Sequence, residues 1–218
     1  AMPKGVMLSH YSMVNNALEI CGHMGWTAED NMLIAVPMFH CFGLTASLLA
    51  GIQTGCSMHT IEYYKTMTVL QAIQKHRCTV LNGVPSMFLA LIRNPKHKDF
   101  DLGSLRNGII AGSPVTEEDY YRIREEIPGL KLHISYGQTE TSPCVSISDV
   151  EDSDQDCACS AGKVIRHCEV RILDSGGRQL SDGEDGEICV RGYQVMQGYY
   201  KLPQETGKVI DAAGWLHT

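Results

Sequence analysis

Apolar and polar positions change period several times along the chain, and each change marks an element. Val14, Ala17, Leu18, Cys21 and Met24 recur at helical spacing behind Ser9, which predicts a helix over 9–24 capped by that serine and buried along those five residues. The run MLIAV (32–36) is apolar without alternation and stops at Pro37, as a strand covered on both faces would. From His40 to Gly51 the chain is again apolar and glycine-bounded, which predicts a second helix.

The same alternation then repeats. CSMHTI (56–61) precedes a helix capped at Thr66 with Val69, Leu70 and Ile73 inward; CTVLNG (78–83) precedes one starting near Pro85 with Phe88, Leu91 and Ile92 inward. NGIIAG (107–112) precedes one capped at Thr116, with Asp119 in its first turn and Tyr120, Ile123 and Ile127 along one face, and KLHISYG (131–137) is the last strand of the series. Repeating strand–helix units predict an α/β fold, a mostly parallel sheet flanked by helices.

Beyond about residue 149 the texture changes. SDVEDSDQDCACSAG (148–162) is acidic and reads as a surface loop, CEVRILD (168–174) and GEICVRG (186–192) read as strands, and SGGR and SDGEDGE read as turns. The expected organisation is an α/β unit over 1–149 followed by a small β-rich lobe over 150–218.

Composition narrows the function classes. A net charge of −7 across 218 residues leaves no basic stripe for nucleic acid. No apolar run reaches the length of a transmembrane segment, and the start lacks a signal-peptide core. Nine scattered cysteines in apolar surroundings read as free thiols of a reducing compartment, hence a cytoplasmic expectation. Cys157 and Cys159 make only a C-x-C, with no second pair at zinc-binding spacing, so no structural metal is expected there.

Ligands of such sheets bind in the loops at the carboxyl ends of the strands. Here those loops are PMFHCFG (37–43), NGVPS (82–86), AGSPV (111–115) and SYGQTET (135–141). In YGQTE, Tyr136 offers a flat ring, Gly137 lets backbone approach a ligand, Thr139 offers a hydroxyl for an anionic oxygen, and Glu140 is a hard carboxylate suited to Mg²⁺. Taken singly, each segment also reads as a plain turn, and His40 as a histidine seated at a helix start.

Taken together, PKGVMLSH, VPMFHCFGL, NGVPSMF, IIAGSPVT, YGQTE, GEICVRGYQVMQGYY and GWLHT, in that order, resemble the adenylate-forming superfamily and within it the fatty and medium-chain acyl-CoA synthetases. The resemblance implies ATP, Mg²⁺ and CoA as cofactor and co-substrates, and a carboxylic acid as the other partner. It implies Lys4 on the β- and γ-phosphates, Ala111, Gly112 and Ser113 along the adenine, Tyr136 and Gly137 at the base, and Thr139 on the reacting phosphate. It further implies Glu140 as the metal ligand, His40 over the carboxylate, and Gly83, Ser135 and Val164 lining the acyl tunnel. Amino-acid-activating relatives carry an acid near His40 and this chain has none there, which disfavours an amino-acid substrate.

The resemblance also implies that the phosphate loop continues before Lys4 and that a ribose-binding Asp comes after Thr218. The expectation is an inactive fragment whose exposed apolar surfaces self-associate. An adenylation enzyme for an aryl or hydroxy acid, or a non-catalytic nucleotide-binding fragment, stands as the alternative.

Overall fold

The computed structural model describes residues 3–218. A short strand, Val6–Met7 (β1), leads into the helix His10–Met24 (α1), where Ser9 Oγ accepts from the Ser12 N–H at 3.0 Å and Gly25 closes the far end in a left-handed conformation. The buried face of α1 differs from the expected one. Ala17, Cys21 and Met24 are inside, but Val14 and Leu18 are 40% and 52% exposed, while Ser12, Asn16 and Ile20 take the inner positions. Asn16 is inside because its amide bonds both backbone groups of Cys144.

Asn31–Ile34 (β2) follows, then a helix whose segments Cys41–Gly43 (α2), a π-helical Leu44–Leu49 and Ala50–Thr54 (α3) run on without a break. The helix passes Gly51 instead of stopping there. Gly51 lies against Met58, whose sulfur would be 2.3 Å from an added Cβ, so the residue serves packing and Gly55 serves the cap. Ser57–Thr60 (β3), Thr66–His76 (α4), Val80–Leu81 (β4), Pro85–Arg93 (α5), Asn107–Ala111 (β5), Glu117–Glu126 (α6) and Lys131–Gly137 (β6) continue the alternation. Thr116 caps α6 as expected, its hydroxyl accepting from the Asp119 N–H, and Pro85 opens α5. Thr66 is not a cap: Lys65 holds that position and Thr66 is the first helical residue.

Five of these strands form a parallel array in the order β3-β2-β4-β5-β6. Two antiparallel strands that the hydrophobic pattern leaves unmarked, Cys144–Ile147 (β7) and Lys163–Val164 (β8), extend it to seven. Between them Asp154–Cys159 forms a helix (α7) inside the segment read as a loop, started by a reciprocal Ser153–Asp156 capping box and buried through Cys157 and Ala158. The large sheet thus runs past residue 149, as far as Val164.

Alternate strand residues feed two cores. Leu33, Leu81 and Ile110 face α4, α5 and α6, together with Phe88, Tyr120 and Cys157, while Met32, Ile34, Val80 and Ile109 face α1 and the 41–54 helix. Each fully buried aliphatic side chain of this kind stabilises the fold by about 1.5–3 kcal/mol. Cys168–Leu173 (β9), Glu187–Gly192 (β10) and Leu216–His217 (β12) make a separate antiparallel sheet, and Gly198–Tyr199 (β11) pairs with β1; Pro203–Val209 (α8) lies between β11 and β12. Among the described residues no helix is long and apolar enough to cross a membrane.

Candidate functional site

The strand order reverses direction at β2, with β3 on one side and β4 on the other, and the loops leaving the carboxyl edge build the site. After β2 the chain turns at Pro37 and enters α2 with His40 as its cap. The imidazole Nδ1 accepts from the Phe42 N–H at 3.1 Å, so Nε2 carries the proton of the neutral ring. Gly43 has no room for a side chain: a Cβ there would sit 2.2 Å from the Pro37 carbonyl oxygen.

After β6 the backbone is equally tight. A Cβ on Gly137 would lie 1.8 Å from the Pro143 carbonyl oxygen, and the next residues wind into a single turn, Thr139–Thr141. Thr141 fixes that turn, its hydroxyl donating to the Gln138 carbonyl and accepting from the Gln138 N–H. Thr139 and Glu140 are held beside the loop from β2: the Cys41 sulfur is 3.6 Å from Thr139 Oγ1. Burial pushes the Cys41 thiol above its ordinary pKa, which keeps it protonated at neutral pH.

Glu140 is anchored from the opposite side by β11. The Tyr199 hydroxyl donates to Glu140 Oε1 at 2.8 Å, and the Lys4 ammonium lies 4.1 Å from the centre of the Tyr199 ring. Burial, and then the bond to Glu140, raise the Tyr199 pKa, so the phenol stays a donor. The other Glu140 oxygen, Oε2, accepts no hydrogen bond among the described residues. A carboxylate oxygen is a hard ligand of the kind that suits Mg²⁺.

Two clefts share the wall made by Gly112, Ser135 and Gly137. The wider, about 690 Å³, is lined by Ser113, Val115 and Tyr136 and closed by residues 158–161 at the end of α7. The narrower, about 260 Å³, takes His40, Cys41, Thr139 and Glu140 on its polar side and Ile20, Phe42, Ala46 and Ile109 on its apolar side. Ala111 lines the narrow cleft, and the Ser135 hydroxyl donates to the Ser146 carbonyl at 2.9 Å.

The structure thus brings His40, Ala111, Gly112, Ser113, Ser135, Tyr136, Gly137, Thr139 and Glu140 together, with Lys4 one aromatic ring away. Two expected tunnel residues are elsewhere. Gly83 is buried in the sheet, its N–H donating to the Ile109 carbonyl, and Val164 is exposed in β8, paired with Ser146; neither lines either of these two clefts. Cys41, Gln138, Tyr199 and the α7 rim are site residues that the sequence reading did not single out. Tyr199 lies within GYQVMQGYY, a motif read without assigning its residues, and the Ser153–Asp156 box was the available signal for α7.

The two joined clefts thus open at the carboxyl edge of the sheet, where open α/β folds bind their ligands. The chain belongs to the AMP-binding enzyme family, whose model matches residues 1–200. It is 42% identical over 217 residues to YngI of Bacillus subtilis (strain 168), named as a candidate acyl-CoA synthetase, covering 99% of this chain and 40% of that protein. It is 34% identical to 4-coumarate–CoA ligase 2 of Nicotiana tabacum, covering 100% of this chain and 41% of that protein. Among solved structures it is similar to ATP-bound MatB from Rhodopseudomonas palustris, with a TM-score of 0.89 at 25% identity, over 99% of this chain and 42% of that one. The chain therefore spans about 40% of the length of the curated relatives it matches.

Proposed function

We propose that the chain carries the nucleotide and acyl clefts of an ATP-dependent acid–thiol ligase. In the proposed reaction a carboxylate oxygen attacks the α-phosphorus of ATP, pyrophosphate leaves, and CoA sulfur then displaces AMP from the acyl-adenylate. The observation that carries this reading is the shared wall of the two clefts, with Thr139 and Glu140 on the narrow side and Tyr136 on the wide side. A nucleotide in the wide cleft and an acid in the narrow one would meet at that wall.

In this reading Tyr136 stacks on the base, Ala111, Gly112 and Ser113 pack along it, and the Thr139 hydroxyl donates to a phosphate oxygen. Lys4 supplies positive charge to the outer phosphates, and His40 donates from Nε2 to the substrate carboxylate. Glu140 would hold Mg²⁺, which supplies charge neutralisation to the phosphate oxygens when bound. Such a site works by positioning and electrostatics and needs no covalent nucleophile.

The apolar side of the narrow cleft, with no Lys or Arg lining it, suits an acid with an uncharged hydrocarbon tail, and a fatty acid is the first reading. An aryl acid is the second, favoured by the similarity to a 4-coumarate–CoA ligase. Nine free thiols suit a reducing compartment. Exposed Phe39, Tyr63 and Ile52 would drive self-association of the isolated chain, which sedimentation at two concentrations would detect.

Titration with ATP and with a non-hydrolysable acyl-adenylate tests the reading. Saturable binding that is lost in Tyr136→Ala is expected, and no binding at millimolar ligand overturns it. Pyrophosphate release with a panel of acids should be negligible for the isolated chain; turnover like that of full-length relatives would refute that part.

A further inference from the structure

Outside the lining of both clefts, but joined to the wide one where the Thr218 and Tyr136 hydroxyls meet at 3.1 Å, the three-stranded sheet places a second set of donor groups together. Cys189 of β10 and His217 of β12 are direct cross-strand partners, and Glu187 lies two residues before Cys189 on the same face of β10. The Cys189 sulfur is 3.4 Å from His217 Nδ1 and 3.9 Å from Glu187 Oε2, and Glu187 Oε2 is 2.8 Å from His217 Nδ1. All three donor atoms lie within 4.8 Å of one another. We propose that Cys189, His217 and Glu187 bind a divalent cation of the zinc class, with water completing the coordination.

The spacing suits the ion. With zinc–sulfur, zinc–nitrogen and zinc–oxygen bonds of about 2.0–2.3 Å, tetrahedral ligand atoms stand about 3.4–3.6 Å apart. The observed separations bracket that value, so side-chain rotations of a few tenths of an ångström close the set. Thiolate, imidazole and carboxylate select zinc or cobalt over Mg²⁺, which takes oxygen ligands.

The surroundings are those of a ligand site. Cys189 is buried, while Glu187 and His217 reach the surface, leaving a side open to water. His217 Nε2, the nitrogen not turned to the cluster, lies 4.0 Å from Asp211 Oδ2, beyond hydrogen-bond distance. Asp211 is itself held, since its Oδ1 accepts from the N–H groups of Ala213 and Trp215. Binding would form the metal–sulfur bond as the thiol proton leaves to solvent. The C-x-C of Cys157 and Cys159 plays no part, because Cys157 is buried under the large sheet.

Cobalt titration of the chain tests the site independently of the nucleotide reading. One equivalent should bind with a thiolate-to-cobalt charge-transfer band, zinc should displace it, and Mg²⁺ should not. Cys189→Ser should remove the band, and Glu187→Gln, at an exposed position, should weaken zinc affinity while the melting temperature of the metal-free chain is unchanged. Absence of the band in the native chain, its persistence in Cys189→Ser, or undiminished affinity in Glu187→Gln overturns the proposal.

Discussion

Asn16 and Cys144, 128 residues apart, exchange two hydrogen bonds: the Asn16 amide donates to the Cys144 carbonyl at 2.8 Å and accepts from its N–H at 3.1 Å. Asn16 imitates a neighbouring strand for β7, whose first residue also lines the narrow cleft. Asn16→Ala leaves two buried backbone groups unpaired and should destabilise the chain by about 2–4 kcal/mol. Urea unfolding followed by circular dichroism checks this, and a loss below half that range would mean that water replaces the amide.

Gly137→Ala is expected to be the most damaging single change in the site. Its methyl would overlap the Pro143 carbonyl, 1.8 Å away, and that oxygen is backbone with no side-chain freedom to move aside. A loss of more than about 3 kcal/mol is expected from forced overlap of this kind. Thermal melting measures it, and a melting temperature equal to that of the native chain would contradict the geometry.

Stability should fall on mild acidification because of His133. The ring is fully buried in β6 beside Ser148, and burial, then the charge of Lys131, bring its pKa from 6.5 down to about 4. Between those values the unfolded chain takes a proton that the folded chain refuses. The contribution is complete above the unfolded pKa and is lost as pH drops towards 4, a difference on the order of 3 kcal/mol. Urea midpoints measured from pH 7.5 to pH 4.5 should show the decline, and His133→Phe should flatten that part of it.

Tyr199→Phe separates the support of Glu140 from its proposed role. Removing the phenol should cost about 1 kcal/mol of stability and leave any Mg²⁺-dependence of ATP binding in place. Glu140→Gln should abolish that dependence with a smaller effect on binding of an acyl-adenylate, which lacks the outer phosphates. Equal Mg²⁺ responses in native chain and Glu140→Gln would remove Glu140 from the metal.

The parallel array is legible where a strand is buried on both sides, as β2 is: Leu33 enters one core while Met32 and Ile34 enter the other, so MLIAV shows no alternation. What escaped were features decided at long range. The inner face of α1 differs from its periodicity at Val14 and Leu18, because Asn16 turns inward to bond a distant strand, and no local periodicity encodes that. In the acidic segment, carboxylates masked α7 although two of them serve it: Asp156 completes the capping box, and Asp154 accepts from Arg124 at 2.9 Å. The motifs place His40, Tyr136, Thr139 and Glu140 on loops at the carboxyl edge of the sheet, and there they line the two clefts. Tyr199 acquires meaning only when β11 brings it to Glu140, 59 residues away in sequence.

The distribution of thiols has a practical side. Burial raises the pKa of Cys21, Cys78, Cys144, Cys168 and Cys189 to about 11 or 12, whereas Cys159 stands exposed on the rim of the wide cleft. A maleimide dye offered at neutral pH would therefore settle first on that one sulfur. The chain comes with its own attachment point for a fluorescent reporter, placed in the lining of the wide cleft.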